Sequence, residues 1–246
     1  MSMSDFHGPR LYVEAALAKR ASIACTAEQA NYLLKVMRLG PDDEILIFNG
    51  RDGEWRARLA QVAKRYCGLE CLERTRPQQG GPDIHYLFAP LKRARLDYMV
   101  QKATEMGVAR LQPVLTRRTT TARVNLARMR ANAVEAAEQC RVLWVPEVTP
   151  PLQLGVILES WDLARCLIYC DESAELVSPI ATLADLTPGP LAVLIGPEGG
   201  FDPGERAMLH QMEFTLPISL GPRIMRADTA AVAALALINA VLGDWR

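Results

Sequence analysis

The stretch Leu-Ile-Gly-Pro-Glu-Gly-Gly-Phe at residues 194–201, called here the first glycine segment, is the most informative part of the chain. A second glycine segment, Ser-Leu-Gly-Pro-Arg-Ile-Met-Arg-Ala-Asp-Thr-Ala, occupies residues 219–230. Each follows a short apolar run and precedes a helical pattern, the context in which a strand end presents a tight loop to a ligand. Two such loops predict one shared pocket, although either segment alone could be an ordinary turn.

The first glycine segment does not suit a phosphate group. A phosphate cradle needs free backbone N–H groups and a positive field, whereas Pro197 lacks the donor and Glu198 adds a negative charge. Neither a Walker motif nor G-x-G-x-x-G is present. The segment predicts a ligand with hydroxyls, an adenine edge and positive charge, such as S-adenosylmethionine (AdoMet).

Upstream of these segments, strand-like runs alternate with helical patterns. Apolar residues recur at helical spacing from Leu96 to Met106, and Gly107 is a stop signal. This alternation predicts an α/β domain with a largely parallel sheet, whose ligands lie beyond the carboxyl ends of the strands. The predicted strands are 86–89, 110–115, 166–169, 191–195 and 215–218.

The N-terminal part has a different pattern. Short apolar runs broken by Asn49-Gly50 and Asp52-Gly53 predict antiparallel hairpins, with one helix near residues 27–36. A small β-barrel fits this pattern. Residues 74–83 combine Pro, Gly and Gln without an apolar period and are predicted to be a linker. The expected domains are therefore residues 1–73 and 84–246.

Charge is segregated along a chain whose formal net charge is zero. Residues 92–130 hold ten basic and two acidic residues, a net charge of +8, and residues 131–190 hold two basic and nine acidic residues, a net charge of −7. The basic stretch predicts a face for a phosphate backbone, with a solvated helix surface as the alternative. We expect a cytoplasmic protein with no membrane span, no metal site and reduced cysteines.

The two glycine segments, with Gln-Lys-Ala-Thr-Glu-Met-Gly-Val at residues 101–108 and Leu-Lys-Val-Met-Arg-Leu at residues 34–39, closely resemble the ribosomal RNA small subunit methyltransferase E family. The resemblance implies a PUA-like RNA-binding β-barrel followed by a SPOUT domain, an α/β fold with a deep trefoil knot. It also implies a homodimer that uses AdoMet to methylate N3 of one uridine of 16S ribosomal RNA, uridine 1498 in that family. The chain departs from the family pattern at Val142, Ala227 and Asp228.

These departures keep an alternative open, a catalytically silent RNA-binding or ribosome-assembly protein on the same fold. In the enzyme reading, N3 must lose its proton while negative charge develops on the uracil carbonyls. Arg226 suits stabilisation of that charge, with a surface or interface ion pair as its alternative. Asp228 is the nearest candidate for proton acceptor, with helix N-capping as its alternative.

Further site residues follow from the same resemblance. Leu220, Ile224 and Met225 would enclose the adenine, unless they only pack in the core. Arg10 and Arg38 are predicted to contact RNA phosphates. The predicted cofactor-binding residues are Ile195, Gly196, Glu198, Gly199, Gly200, Leu220, Gly221, Ile224, Met225 and Thr229.

Overall fold

The computed structural model describes residues 8–245 except Arg65 and Glu175, and it divides the chain into two compact units. The first unit comprises Met1–Gly80 together with Ala137–Trp144, and the second comprises Gly81–Ala136 together with Val145–Arg246. No helix among the described residues combines the length and the apolar character needed to cross a bilayer.

The elements of the first unit are β1 (Arg10–Tyr12), β2 (Ser22–Ala24), α1 (Ala27–Asn31) with a π-helical turn (Tyr32–Val36), β3 (Glu44–Phe48), β4 (Glu54–Ala63) and β5 (Tyr66–Arg76). The helix predicted near residues 27–36 is confirmed. The five strands form one sheet with the order β1-β3-β4-β5-β2, in which β1 and β3 are parallel and the other pairs are antiparallel.

The hydrogen-bonded path of this sheet ends at β1 and β2, and no pairing between these two strands closes a barrel within the described residues. Two glycines allow the turn between β3 and β4. Gly50 and Gly53 both have φ in the left-handed region, and a Cβ on Gly53 would lie 2.3 Å from the carbonyl oxygen of Arg76. Only glycine therefore fits at position 53.

The boundary of the first unit differs from the one expected from sequence. Residues 74–76, assigned to the linker, are the end of β5, where Arg74 pairs with Trp55 and Arg76 pairs with Glu54. Residues 137–144, assigned to the C-terminal domain, belong to the first unit. Neither feature has an apolar period that sequence could reveal, because both depend on pairing with distant residues.

The elements of the second unit are β6 (Ile84–Phe88), α2 (Arg93–Glu105), β7 (Arg110–Leu115), α3 (Leu126–Gln139), β8 (Glu147–Val148), β9 (Leu152–Gln153), α4 (Leu154–Glu159), β10 (Cys166–Cys170), α5 (Pro179–Ala184), β11 (Leu191–Ile195), α6 (Pro203–Gln211), β12 (Thr215–Ile218) and α7 (Ala227–Val241). Six of the strands pair in the order β12-β10-β11-β6-β7-β8, and β9 pairs with β7 outside this path. Every pairing is parallel, which confirms the α/β fold class.

Both faces of this sheet are covered, as the near-continuous apolar strands require. Tyr86 and Phe88 of β6 point to the face covered by α2, α5 and α7, and Leu87 points to the face covered by α4 and α6. Because all strands are parallel, their carboxyl ends meet at one edge. Both glycine segments begin at that edge, after β11 and after β12.

Candidate functional site

The two glycine segments line one cavity of about 460 Å³ at the carboxyl edge of the parallel sheet. The strand order places β10 between β11 and β12, so the residues that follow β10 lie between the two segments. The shared pocket expected from sequence is therefore present. Its lining comes from three strand ends: residues 170–172, 174 and 176 at and after β10, residues 195–201 at and after β11, and residues 218–225, 227 and 230 at and after β12.

Two glycines in the lining have backbone conformations that favour glycine. Gly200 has φ +69° and Gly221 has φ +100°, whereas Gly199 lies outside the left-handed region. The N–H of Gly200 donates to the carbonyl oxygen of Pro197 over 2.9 Å, which closes a tight turn. A Cβ on Gly200 would lie 2.4 Å from Oε1 of Glu172. A side chain at position 200 would therefore collide with Glu172, which follows β10.

Nine of the ten predicted cofactor-binding residues line the cavity. Leu220 and Met225 are half-buried and pack against the core. Ile224 lines the cavity but is 94% exposed, so its side chain is not held by packing. Thr229 is exposed on the first turn of α7 and does not line the cavity, so the structure does not support its predicted contact. The nine are Ile195, Gly196, Glu198, Gly199, Gly200, Leu220, Gly221, Ile224 and Met225.

Acidic side chains are frequent in the lining. Glu198 was predicted, but Asp171 and Glu172 were missed, because sequence does not reveal that β10 lies between β11 and β12. The Asp171 side chain is 1% exposed, and Arg206 Nε lies 3.3 Å from its Oδ1. Arg206 Nη2 also donates to Glu172 Oε1 over 2.9 Å. Their position directly after a predicted strand was the only available signal.

Arg226 lies at the N-cap of α7, next to the lining residues Met225 and Ala227. Its side chain is exposed and makes no capping hydrogen bond, and no ion pair to it is formed within the described part of the chain. Arg226 is thus exposed beside the cavity and is not itself part of the lining.

Asp228 is not the N-cap of α7, which is Arg226, although its Oδ1 accepts a hydrogen bond from the backbone N–H of Thr229 over 3.0 Å. It lies in the first turn of α7, and both its carboxylate oxygens accept hydrogen bonds from Arg95, at 2.9 Å from Nε and 3.0 Å from Nη2. These bonds hold the pKa of Asp228 below its usual range. A carboxylate engaged in this way is a weak base, so the geometry does not support the acceptor role predicted from sequence.

Arg95 was not predicted to belong to the site. It lies in the first turn of α2, and its Nη1 also donates to Glu198 Oε1. Sequence offered no signal beyond its place in the basic stretch of residues 92–130, because Glu198 and Asp228 lie 103 and 133 residues away.

Part of the same basic stretch reaches the first glycine segment from the end of β7. Arg118 Nη1 donates to the carbonyl oxygen of Gly199 over 2.7 Å, and Arg117 Nη1 lies 3.2 Å from Asp202. Other members are neutralised elsewhere, as Arg128 is by Asp97 at 2.6 Å. The basic face is therefore narrower than the sequence count of charges suggests.

The predicted RNA contacts in the first unit have different outcomes. Arg10 is buried: its Nε donates to Glu54 Oε2 over 2.7 Å, its Nη1 donates to the carbonyl oxygen of Ala137, and its Nη2 donates to that of Val142 over 2.8 Å. The predicted phosphate contact of Arg10 is thus wrong, because its donors are used inside the unit. Arg38 is exposed, with φ +58°, and remains available.

The chain matches two protein families that together cover most of its length. Residues 79–239 match the family described as RNA methyltransferase domain, and residues 26–70 match the RNA methyltransferase PUA domain. The fold and the cavity are accordingly those of an RNA methyltransferase with an N-terminal PUA domain.

Individual relatives narrow the assignment. The chain is 32% identical over 239 residues to the ribosomal RNA small subunit methyltransferase E of Synechocystis, covering 95% of this chain and 78% of the relative. It is 27% identical to that of Rickettsia conorii, covering 94% of both chains. The chain belongs to the ribosomal RNA small subunit methyltransferase E family.

Solved structures agree with this assignment. The crystal structure of the ribosomal RNA small subunit methyltransferase E of Neisseria gonorrhoeae, bound to S-adenosyl methionine, matches with a TM-score of 0.88 and 25% identity, covering 98% of this chain and all of the other. A methyltransferase from Legionella pneumophila, in complex with the same cofactor, matches with a TM-score of 0.86 and 26% identity, covering 97% of this chain and all of the other.

Proposed function

We propose that this protein uses AdoMet to methylate N3 of one specific uridine in the 16S ribosomal RNA of the small subunit. The observation that carries the proposal is the single cavity lined by both glycine segments, in a member of a family with an AdoMet-bound relative. The resemblance stated above supplies the choice of uridine N3.

The lining of the cavity fits AdoMet. Glu172 and Glu198, whose side chains are 51% and 60% exposed, would contact the sulfonium and ammonium of a ligand without phosphate, in addition to their arginine partners Arg206 and Arg95. Leu220 and Met225 offer half-buried apolar surface for an adenine ring. The volume of about 460 Å³ is that of a small-molecule site.

When bound, AdoMet supplies an electrophilic methyl group on its sulfonium sulfur. The N3–H proton of uridine leaves to water, the N3 lone pair forms the new bond to the methyl carbon, and the electrons of the broken C–S bond remain on sulfur. Arg226 then stabilises the negative charge that deprotonation places on the uracil carbonyls, because a guanidinium stays charged and offers a fork of donors. Asp228 anchors α7 through Arg95 and does not take the proton.

The RNA would be held by exposed basic side chains. In the first unit, Arg38 would contact phosphates. In the second unit, Arg118 and other exposed members of the basic stretch would also contact phosphates. As the family implies, the protein would act in the cytoplasm as a homodimer, with a trefoil knot in its methyltransferase domain. The domain division at residues 1–73, 74–83 and 84–246 also stays a prediction, except for residues 74–76 and 137–144, which belong to the first unit.

Single-turnover methyl transfer to small subunits from a strain lacking the gene tests the reaction, with mass mapping of the modified uridine. Arg226→Ala should lower the transfer rate at saturating cofactor by about two orders of magnitude or more. AdoMet affinity, measured by calorimetry, should change little, because the contact develops in the transition state. Arg226→Lys should restore part of the rate.

Two results would contradict the proposal. If the wild-type protein binds no AdoMet, the silent RNA-binding alternative is favoured. If Arg226→Ala loses cofactor affinity but keeps the saturated rate, Arg226 is a binding residue, and charge stabilisation must come from another group.

A further inference from the structure

One arginine connects the two glycine segments. The Arg95 side chain uses three nitrogens: Nε and Nη2 donate to the two oxygens of Asp228, and Nη1 donates to Glu198. Glu198 belongs to the first segment and Asp228 to the second. A planar guanidinium can serve two carboxylates in this way, whereas a lysine ammonium acts as a point charge.

The two contacts of Arg95 differ in burial. The Asp228 side chain is 18% exposed and receives a bidentate pair, whereas the Glu198 side chain is 60% exposed and accepts from one nitrogen. Exposed pairs are weakened by solvent, so the contact with Asp228 is the firmer one. Arg95 therefore has a fixed anchor on α7 and a looser hold on the first glycine segment.

The backbone that carries Arg95 is also fixed. Leu96, Met99 and Val100 of α2 are buried in one cluster with Ala227 and Ala231 of α7. Arg95 extends from a rigid helix, so its guanidinium has a defined position relative to α7. Arg226 directly precedes α7, two residues before the anchored Asp228.

We propose that Arg95 is a positioning residue for methyl transfer, which is anchored on Asp228 at the start of α7 and orients Glu198 in the first glycine segment. The cofactor cavity and the start of α7, from which Arg226 extends, are thereby held in register. The inference rests on the proposed function, and it gives Asp228 the role of fixing the Arg95 guanidinium to α7. Misplacement of reacting groups by about 1 Å can cost about a hundredfold in rate, so such a device matters even without substrate contact.

The test separates the two contacts by what each should control. Arg95→Gln should lower AdoMet affinity and the saturated single-turnover rate, each by about tenfold or more. Glu198→Gln should mainly lower affinity, and Asp228→Asn should mainly lower the rate. Arg95→Lys should recover part of both losses. Arg58→Gln, which removes an exposed arginine pair with Glu70 in the first unit, is the matched control and should change neither quantity.

Double variants show whether the residues act through one another. If Arg95 acts through Asp228, the double variant Arg95→Gln/Asp228→Asn should transfer the methyl group no more slowly than the slower of its two single variants. If Arg95 acts through Glu198, the double variant Arg95→Gln/Glu198→Gln should bind AdoMet no more weakly than the weaker-binding of its two single variants. Losses that multiply, or an Arg95→Gln protein that is folded and equals the wild type, would overturn the inference. A wild-type protein without AdoMet binding or transfer would instead refute the proposed function. Thermal unfolding checks that each variant is folded.

Discussion

Gly200→Ala should damage the cofactor site more than the same change at the neighbouring Gly199. Gly200 has φ +69°, and a Cβ there would lie 2.4 Å from Glu172 Oε1, which must move. At Gly199 the backbone is outside the left-handed region, and a Cβ would lie 3.6 Å from Cδ of Arg118, an ordinary contact. The two positions share a loop and a cavity, so each is the natural control for the other.

The magnitude follows from two costs. A left-handed conformation costs a non-glycine residue about 1–2 kcal/mol. Displacing Glu172 weakens its ion pair with Arg206. This pair stabilises the fold by about 0–1 kcal/mol, because the Glu172 side chain is half exposed to solvent. The smaller entropy of the unfolded alanine chain offsets roughly 0.4–1 kcal/mol of this. We expect a net loss of about 1–2 kcal/mol in the free energy of unfolding for Gly200→Ala, and at most about 0.5 kcal/mol for Gly199→Ala.

Denaturant unfolding measures the stability of both variants, and calorimetry measures their AdoMet affinity. If the loop of the Gly200→Ala variant relaxes away from its wild-type shape, AdoMet binding must restore that shape. The strain of about 1–2 kcal/mol is then subtracted from the binding free energy, which makes the affinity roughly 5–30-fold weaker. Equal losses of stability in the two variants would refute this account of the first glycine segment, as would a Gly200→Ala protein as stable as the wild type.

Two other perturbations test the units separately. Arg10→Ala should destabilise the first unit by about 3 kcal/mol, because it leaves Glu54 buried with only Arg76 at 3.7 Å as a cation. Denaturant unfolding should detect this loss, and a variant that stays as stable as the wild type but binds RNA more weakly would instead favour the phosphate contact predicted from sequence. Burial and the nearby Arg165 and Arg110 lower the pKa of His85 from 6.5 to about 4. As the pH falls, His85 is therefore protonated in the unfolded chain before it is protonated in the folded chain. Stability should therefore fall as pH drops from about 6.5 to about 4, and His85→Gln should remove that part of the pH dependence.

The sequence by itself located most elements of the second unit. Strands were predicted at 110–115, 191–195 and 215–218, and the structure has β7, β11 and β12 with these bounds. Apolar runs of strand length and the glycines that end them are local signals, since they report the conformation of a few neighbouring residues. The position of both glycine segments after parallel strands also followed from this pattern, and with it the shared cavity.

Strand order was decided only by the tertiary structure. That β10 lies between β11 and β12 brings Asp171 and Glu172 into the cavity, and no local pattern in the sequence specifies which strands become neighbours. The sequence also did not reveal which charged side chains are buried in ion pairs and which are exposed. Arg10 and Arg38 are the same residue type in the same unit, yet one is buried against Glu54 and the other is exposed.

The Arg95 bridge has the same origin. Its partners are separated from it by more than 100 residues, and each contact forms only when α2, α7 and the first glycine segment have packed. Sequence periodicity thus determined which residues form strands, helices and glycine loops, because those depend on local backbone preference. Packing decided which charged side chains meet, because an ion pair depends on the separation of atoms in space and not along the chain.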